Sequence, residues 1–252
     1  MPTILITGAT SGIGRATAQV FAEKGYDLII TARRAERLEA FAQFLKVEYD
    51  CSVQTLVFDV RDKKACEEAV KDLDQIDVLI NNAGLAKGLA TIDEGDIDHW
   101  ETMIDTNIKG LLYMTRLISP KMVKAGKGHI INVASTAGKE VYPKGNVYCA
   151  TKHAVEALTK AMRLDLYEKG IKVSQVSPGH VEETEFALVR FDGDREKAKI
   201  YEDFSPLKSR DVAEAILFIA ERPAHVNIQD ILLMGSQQAS SIFIDKSGRL
   251  DT

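Results

Sequence analysis

The 252-residue chain has no run of roughly 18 uncharged apolar residues, the length a helix needs to cross a bilayer, so no membrane-spanning segment is expected. Cysteine is scarce. Cys51, Cys66 and Cys149 form an odd set without a Cys-x-x-Cys pair, which argues against a disulfide framework and against a zinc site. Proline is sparse too, at 6 residues, and no repeat, low-complexity tract or Pro/Gly/Ser-rich linker appears, which excludes collagen-like and disordered classes. Basic residues are not in excess. Against 37 Asp and Glu, the 32 Lys and Arg leave a net charge of −5, so nothing attracts a nucleic-acid backbone in general. The opening residues, Met1-Pro2-Thr3-Ile4-Leu5, lack the basic region and cleavage signal of a leader, and a cytoplasmic location is expected.

What is present is an alternation. Apolar, β-branched runs at 3–7, 27–31, 52–59, 77–81, 128–134, 172–177 and 231–234 alternate with helical segments at 13–24, 35–48, 63–72, 100–125, 147–169 and 210–222. Most of the strand-like runs are apolar nearly throughout, the pattern of parallel strands covered on both faces. Connections too long for hairpins imply right-handed βαβ crossovers and an α/β fold with a parallel sheet. Two regions break the rhythm. Residues 182–208 form a long charged connection, either a functional lid or a disordered segment, and 241–252 form a tail that is either a subunit-contacting arm or frayed.

Directly after the first strand comes Thr7-Gly8-Ala9-Thr10-Ser11-Gly12-Ile13-Gly14, which opens into a helix. Glycines let a pyrophosphate approach the backbone, and the free N–H groups of a helix N-terminus favour its charge. No Gly-Lys-Ser/Thr follows, so this is not a nucleotide-triphosphate loop. The second strand ends in Thr31-Ala32-Arg33-Arg34 instead of the acidic residue that would bind the ribose hydroxyls of NAD. Guanidinium groups there suit a 2′-phosphate, hence NADP; the plain alternative is a solvated start to the next helix. Tyr148 and Lys152 lie four apart on one helix face, and Ser135 ends the fifth strand thirteen residues earlier, at the C-terminal ends of the strands, where open α/β sheets bind ligands. A phenol near an ammonium, which favours phenolate, makes an acid–base pair for carbonyl chemistry.

The Gly-x-x-x-Gly-x-Gly spacing resembles the short-chain dehydrogenase/reductase family. So do Asp59-Val60, Asn81-Asn82-Ala83-Gly84, Asn107-Ile108-Lys109-Gly110, Ser135, Tyr148-Cys149-Ala150-Thr151-Lys152 and Pro178-Gly179, in the family's order over about residues 3–235. The resemblance implies a single-domain Rossmann fold over 1–252, a doubly wound parallel seven-stranded sheet flanked by helices. It implies Tyr148 as general acid/base, Lys152 lowering its pKa and holding the nicotinamide ribose, Ser135 binding the substrate oxygen and Asn107 anchoring a relay water. A helix kink or cap is the alternative for Asn107. The cofactor set it implies is Gly8, Thr10, Ser11, Gly12, Ile13, Gly14, Arg33, Arg34, Asp59, Val60, Asn82, Ala83, Gly84, Tyr148, Lys152, Pro178, Gly179, Val181 and Thr184. Asp59 could instead cap the following helix. The family's threonine falls four residues after its glycine, yet here Glu183 stands there and Thr184 comes next.

Stretches such as 82–86, 100–107, 145–148, 184–186, 189–191 and 223–228 resemble the NADP-dependent 3-hydroxy acid (serine or allo-threonine) dehydrogenases more closely. That resemblance implies oxidation of the β-hydroxyl of L-serine, L-allo-threonine or 3-hydroxy acids, and malonic semialdehyde-type reduction in reverse. The alternatives are a reductase of another carbonyl (acyl thioester, sugar or ketone) and a non-catalytic NADP sensor. An acid substrate needs a cation; Lys139, Lys144, His180 and Arg190 are candidates, with solvated loop charge the alternative for each, while Glu182 and Glu183 would repel the acid unless they point away. The resemblance also implies a homotetramer, with a dimer as the alternative, assembled through the 100–125 and 147–169 helices.

Overall fold

The computed structural model describes residues 1–250. Seven strands, β1 (Thr3–Thr7), β2 (Asp27–Ala32), β3 (Val53–Val57), β4 (Val78–Asn81), β5 (Gly128–Val133), β6 (Ile171–Pro178) and β7 (Asp230–Leu233), form one parallel sheet in the order β3-β2-β1-β4-β5-β6-β7. The chain winds outward from β1 to β3, then returns to lay β4 on the other side of β1. The crevice beyond the C-terminal ends of β1 and β4 is therefore the switch point where doubly wound sheets bind ligands.

Helices α1 (Gly12–Glu23), α2 (Ala35–Tyr49) and α8 (Ser209–Ala220) cover one face. Helices α3 (Lys63–Val70), α5 (Leu111–Ala125) and α6 (Asn146–Leu166) cover the other. Alternation along β1 divides its side chains between the two layers. Ile4 and Ile6 pack with Phe21, Leu45 and Ile216, whereas Leu5 packs with Met114, Ile118 and Val155. Each such side chain, once fully buried, contributes roughly 1.5–3 kcal/mol. The amide donors of two buried asparagines inside the second layer are paired: Asn81 donates to Thr115 (3.0 Å) and Asn132 (2.9 Å), and Asn132 donates to Thr159 (2.9 Å).

The predicted strands and helices all occur, with ends moved by a few residues, except in one place. The single helix expected over 100–125 is α4 (Ile97–Ile104), a π-helical turn (Asp105–Gly110) and then α5. Asp96 starts α4 earlier by accepting from the backbone N–H groups of Asp98 (2.8 Å) and His99 (3.3 Å). The charged connection at 182–208 contains a short helix, α7 (Phe186–Arg190). The described part of the tail folds back on the domain. Gln238 bridges to Ile244, and Arg249 bonds Glu182 at 2.7 and 3.0 Å. No helix among the described residues is long and apolar enough to cross a membrane.

Candidate active site

A single cleft of about 630 Å³ runs from the β1–α1 turn to the tail and is lined by every residue proposed for the site except Asn107 and Gly14. At its floor, Gly8 (φ +70°) and Gly12 (φ +51°) take left-handed backbone conformations that favour glycine. A Cβ on Gly14 would lie 2.3 Å from Asn82 Nδ2 and 2.4 Å from the Gly8 carbonyl oxygen. Asn82 holds this turn, donating through Nδ2 to the carbonyls of Thr7 (2.8 Å) and Gly8 (3.1 Å). Thr7 Oγ1 accepts from the backbone N–H groups of Asn82 and Ala83, both at 3.0 Å. The Ser11 side chain does not cap α1, and no acidic residue occupies its first turn. The helix end thus keeps free N–H groups beside a side-chain-free cradle, which fits a pyrophosphate.

At the end of β2, Arg33 lies 3.6 Å from Asp59, whose carboxylate is bound more closely by Arg61 (2.7 Å). Arg34 bonds Thr10 Oγ1 (3.2 Å) and pairs with Glu185 (2.8 Å), which also pairs with Arg37 (2.7 Å). Arg33 and Arg34 line this end of the cleft beside Asp59 and Glu185, and their guanidinium groups suit a phosphate better than a diol alone. The Val60 side chain packs where a Cβ on Gly110 would fall, tying this end to the π-helical turn.

Ser135, Tyr148 and Lys152 converge at the other end, all nine-tenths or more buried. Ser135 sits just past β5, and its Oγ accepts from the Ala137 N–H (3.1 Å). Tyr148 packs edge-on against Phe186 (centroids 5.6 Å apart) in a small apolar cluster with Ala86, Met103 and Ala137. That burial pushes its phenol well above the usual tyrosine range, while the Ser135 hydroxyl and the Arg190 guanidinium pull it back. Lys152 donates to the Val133 carbonyl (3.0 Å), and its Nζ stands 6.0 Å from the Tyr148 ring centroid. Burial pushes its ammonium down to about 8.

Asn107 lies on the π-helical turn, a distortion that recurs at functional sites. Its Nδ2 donates to the Leu85 carbonyl (2.8 Å) and Thr151 Oγ1 (3.0 Å), and its Oδ1 accepts from the Leu85 N–H (2.9 Å). Both amide donors are thus used by protein. A relay water at this residue has to meet the remaining Oδ1 lone pair or the main-chain carbonyl.

Thr184 covers the glycine turn, its Cγ2 only 3.0 Å from where a Gly12 Cβ would stand. The one-residue offset after Gly179 is absorbed by Glu183, an exposed residue with φ +59°. Neither Glu183 nor Glu182 lines the cleft, and Glu182 is held by Arg249. Sequence reasoning missed the walls of the substrate end: Tyr142, Phe186 and the tail residues Ile242 and Ile244. Phe186 and Arg190 lay inside the recognised stretches 184–186 and 189–191, but the tail carried no signal. No group of three or more His, Cys, Asp or Glu among the described residues is placed to hold a metal.

A glycine-turn cradle at the switch point, joined by one cleft to a buried phenol, ammonium and hydroxyl, defines a nucleotide-binding oxidoreductase of Rossmann type. The short chain dehydrogenase family model matches residues 2–193, and the chain belongs to that family. It is 47% identical over 241 residues to an NADP-dependent 3-hydroxy acid dehydrogenase of Salmonella typhi, covering 94% of this chain and 96% of that protein. Sulfoacetaldehyde reductase 2 of Chromohalobacter salexigens is 44% identical over 246 residues, covering 95% and 96%. Among solved structures, the closed form of serine dehydrogenase complexed with NADP+ superposes with a TM-score of 0.90 at 43% identity, covering 95% of this chain and 97% of that one.

Proposed function

We propose that this chain is an NADP-dependent oxidoreductase that interconverts the β-hydroxyl of a short 3-hydroxy acid, such as L-serine, L-allo-threonine or 3-hydroxypropionate, with the corresponding 3-oxo acid. The observation that carries the reading is the buried Ser135, Tyr148 and Lys152 set at the far end of a cleft whose near end is a phosphate cradle with arginines. The relatives agree in chemistry: 3-hydroxy acids, serine and sulfoacetaldehyde each carry an anionic group near the oxygen-bearing carbon.

Gly8, Thr10, Ser11, Gly12, Ile13 and Gly14 would hold the pyrophosphate, and Arg33 and Arg34 the 2′-phosphate. Asp59, Val60, Asn82, Ala83 and Gly84 would border the adenosine. Pro178, Gly179, Val181 and Thr184 would border the nicotinamide end. When bound, the cofactor supplies or accepts the hydride. The rest is done by the protein. Tyr148, kept protonated at neutral pH by its apolar surroundings, holds the proton that a reduced carbonyl oxygen needs. Ser135 hydrogen-bonds that oxygen and fixes it against the phenol. Lys152 fixes the sugar beside it, and Asn107 holds the water through which the phenol is reprotonated.

Replacing Tyr148 with Phe tests the assignment: NADPH binding retained with turnover reduced by 10²-fold or more supports proton transfer, and unchanged turnover overturns it. Initial rates with 3-hydroxypropionate, L-serine and uncharged alcohols test the substrate class. Residues 182–208 and the described tail, 241–250, serve in this reading as a lid and a flap of one domain spanning 1–252, in a cytoplasmic enzyme. Exposed Leu112 and Val123 on α5 and Leu164 on α6 support a homotetramer, which light scattering at micromolar concentration would refute by returning a monomer mass.

A further inference from the structure

Arg190, at the end of α7, is a buried charge without a countercharge. Its side chain is 8% exposed, yet no carboxylate comes within 4 Å of it among the described residues. Arginines are seldom buried unless paired, because removing a charge from water costs several kcal/mol. The side chain is held firmly nonetheless. Nε donates to the Gly88 carbonyl (3.2 Å) and Nη1 to the Tyr142 hydroxyl (3.1 Å), and the Gly88 N–H donates back to the Arg190 carbonyl (2.9 Å). The guanidinium lies over the Tyr142 ring (5.5 Å) and the Tyr148 ring (5.9 Å). Two protein acceptors leave part of a five-donor fork unused, and the residue lines the cleft beside the reacting phenol.

The other cations considered for the substrate's anion are accounted for. Lys139 is held by Glu156 (3.1 Å) and Asp230, and it lies outside the cleft. Lys144 is exposed, and Lys246 faces Asp203 (3.5 Å). His180 packs against Tyr201 and Phe204, where burial keeps it neutral.

From this we infer that Arg190 is the specificity-determining residue of the site: its fork binds the anionic group of the substrate, a carboxylate or a sulfonate, one methylene away from the carbon that Tyr148 serves. The inference deepens the proposed function and rests on it. A planar fork held against two aromatic faces suits an oxyanion with two or three equivalent oxygens, so both anion types are accommodated. An uncharged substrate would leave the guanidinium buried and unpaired, which is discrimination by the missing partner as much as by the present one.

The experiment compares wild type, Arg190→Met and Arg190→Lys on 3-hydroxypropionate and on 1,3-propanediol, with malonate binding to the NADPH complex measured by calorimetry. The ratio of kcat/KM for acid over diol should fall at least 50-fold in Met, mainly through KM, and recover in part in Lys. Malonate binding should disappear in Met while NADPH binding stays. If wild type uses the diol as well as the acid, the hydroxy-acid reading itself falls. If wild type prefers the acid and both variants keep that preference, only the Arg190 assignment falls. Should the Met variant fail to fold, the Lys variant and competition of malonate against malonamide in wild type decide the question, equal inhibition by the two overturning it.

Discussion

Replacing Lys152 with Met should abolish turnover and yet stabilise the protein. The side chain is 6% exposed, has one protein hydrogen bond, to the Val133 carbonyl (3.0 Å), and no carboxylate partner among the described residues. Burial pushes its pKa down to about 8, against about 10.4 for an unfolded lysine. At about 1.4 kcal/mol per pH unit, the gap corresponds to about 3 kcal/mol of destabilisation by the buried ammonium. The sign follows from proton counting. Between about pH 8 and 10.4 the unfolded chain binds the proton and the folded one does not, so this group's penalty is full below pH 8 and fades as pH rises through that window. Methionine is of similar length and removes the charge but leaves the Val133 carbonyl without its donor, which gives back about 1 kcal/mol. The net gain at pH 7 is about 2 kcal/mol, or roughly 4–8 °C in Tm for a chain of this size. Urea denaturation at pH 7 and pH 9.5, run beside turnover assays, measures it. A Met variant less stable than wild type at pH 7, or a gain that does not shrink at pH 9.5, refutes the reasoning.

Three further perturbations follow from the same geometry. Glu185→Gln frees Arg34 and Arg37, and because exposed pairs contribute at most about 1 kcal/mol each, fluorescence titration should show NADPH binding tightened about 2–10-fold with NADH unchanged; weaker NADPH binding would show that the carboxylate organises the arginines instead of competing for them. Gly14→Ala drives a methyl into the Gly8 carbonyl and Asn82, so NADPH affinity should fall at least tenfold with about 1–3 kcal/mol of destabilisation, and a wild-type Kd would count against the cradle. Buried His129, bonded to Ser174 (2.8 Å), has its pKa pushed down to about 3 by burial, below the unfolded 6.5. Its stabilising neutrality is lost as pH falls through that window, so about 2–3 kcal/mol of stability between pH 7 and 4.5 should vanish from the pH profile of His129→Gln, and an unaltered profile would exclude His129 as the cause.

What was legible in the sequence was whatever repeats with a period or sits within one turn of chain. The apolar runs marked the inner strands because both faces of the sheet are covered there, while the edge strands β3 and β7 are only partly buried and showed through their β-branched and aliphatic residues. The Gly8, Gly12 and Gly14 spacing was legible because the backbone there tolerates no side chain. The break in the helix at Asp105–Gly110 was not, since one extra residue per turn leaves the apolar pattern nearly intact. Five-residue α7 is too short to show a helical period. The tail was illegible for a different reason: its place is set by long-range bonds, Arg249 to Glu182 and the Gly248 N–H to the Asp203 carbonyl, which no local pattern encodes. The same applies to Glu182 and Glu183. As residues they argued against an acid substrate; one is neutralised by the tail and the other turned to solvent at a left-handed φ.

Five acids around this cleft are engaged by cations outside its centre. Glu182 meets Arg249, Asp59 meets Arg61, Asp192 meets Lys87, and Glu156 and Asp230 meet Lys139. The two buried cations that flank Tyr148, Lys152 and Arg190, meet none of them. In a chain with five more acidic than basic residues, partners were available, and a core arranged for stability alone would place one beside each charge. Leaving them unpaired makes the empty cleft electrostatically incomplete, so a ligand that brings hydroxyls to Lys152 and an anion to Arg190 relieves two penalties at once. Binding and stability are thereby coupled through the same two side chains. This is why loss of Lys152's charge should raise Tm while loss of Arg190's should act on KM: the first cation has a carbonyl and, in the proposed reading, would gain only sugar hydroxyls, whereas the second would gain a full countercharge.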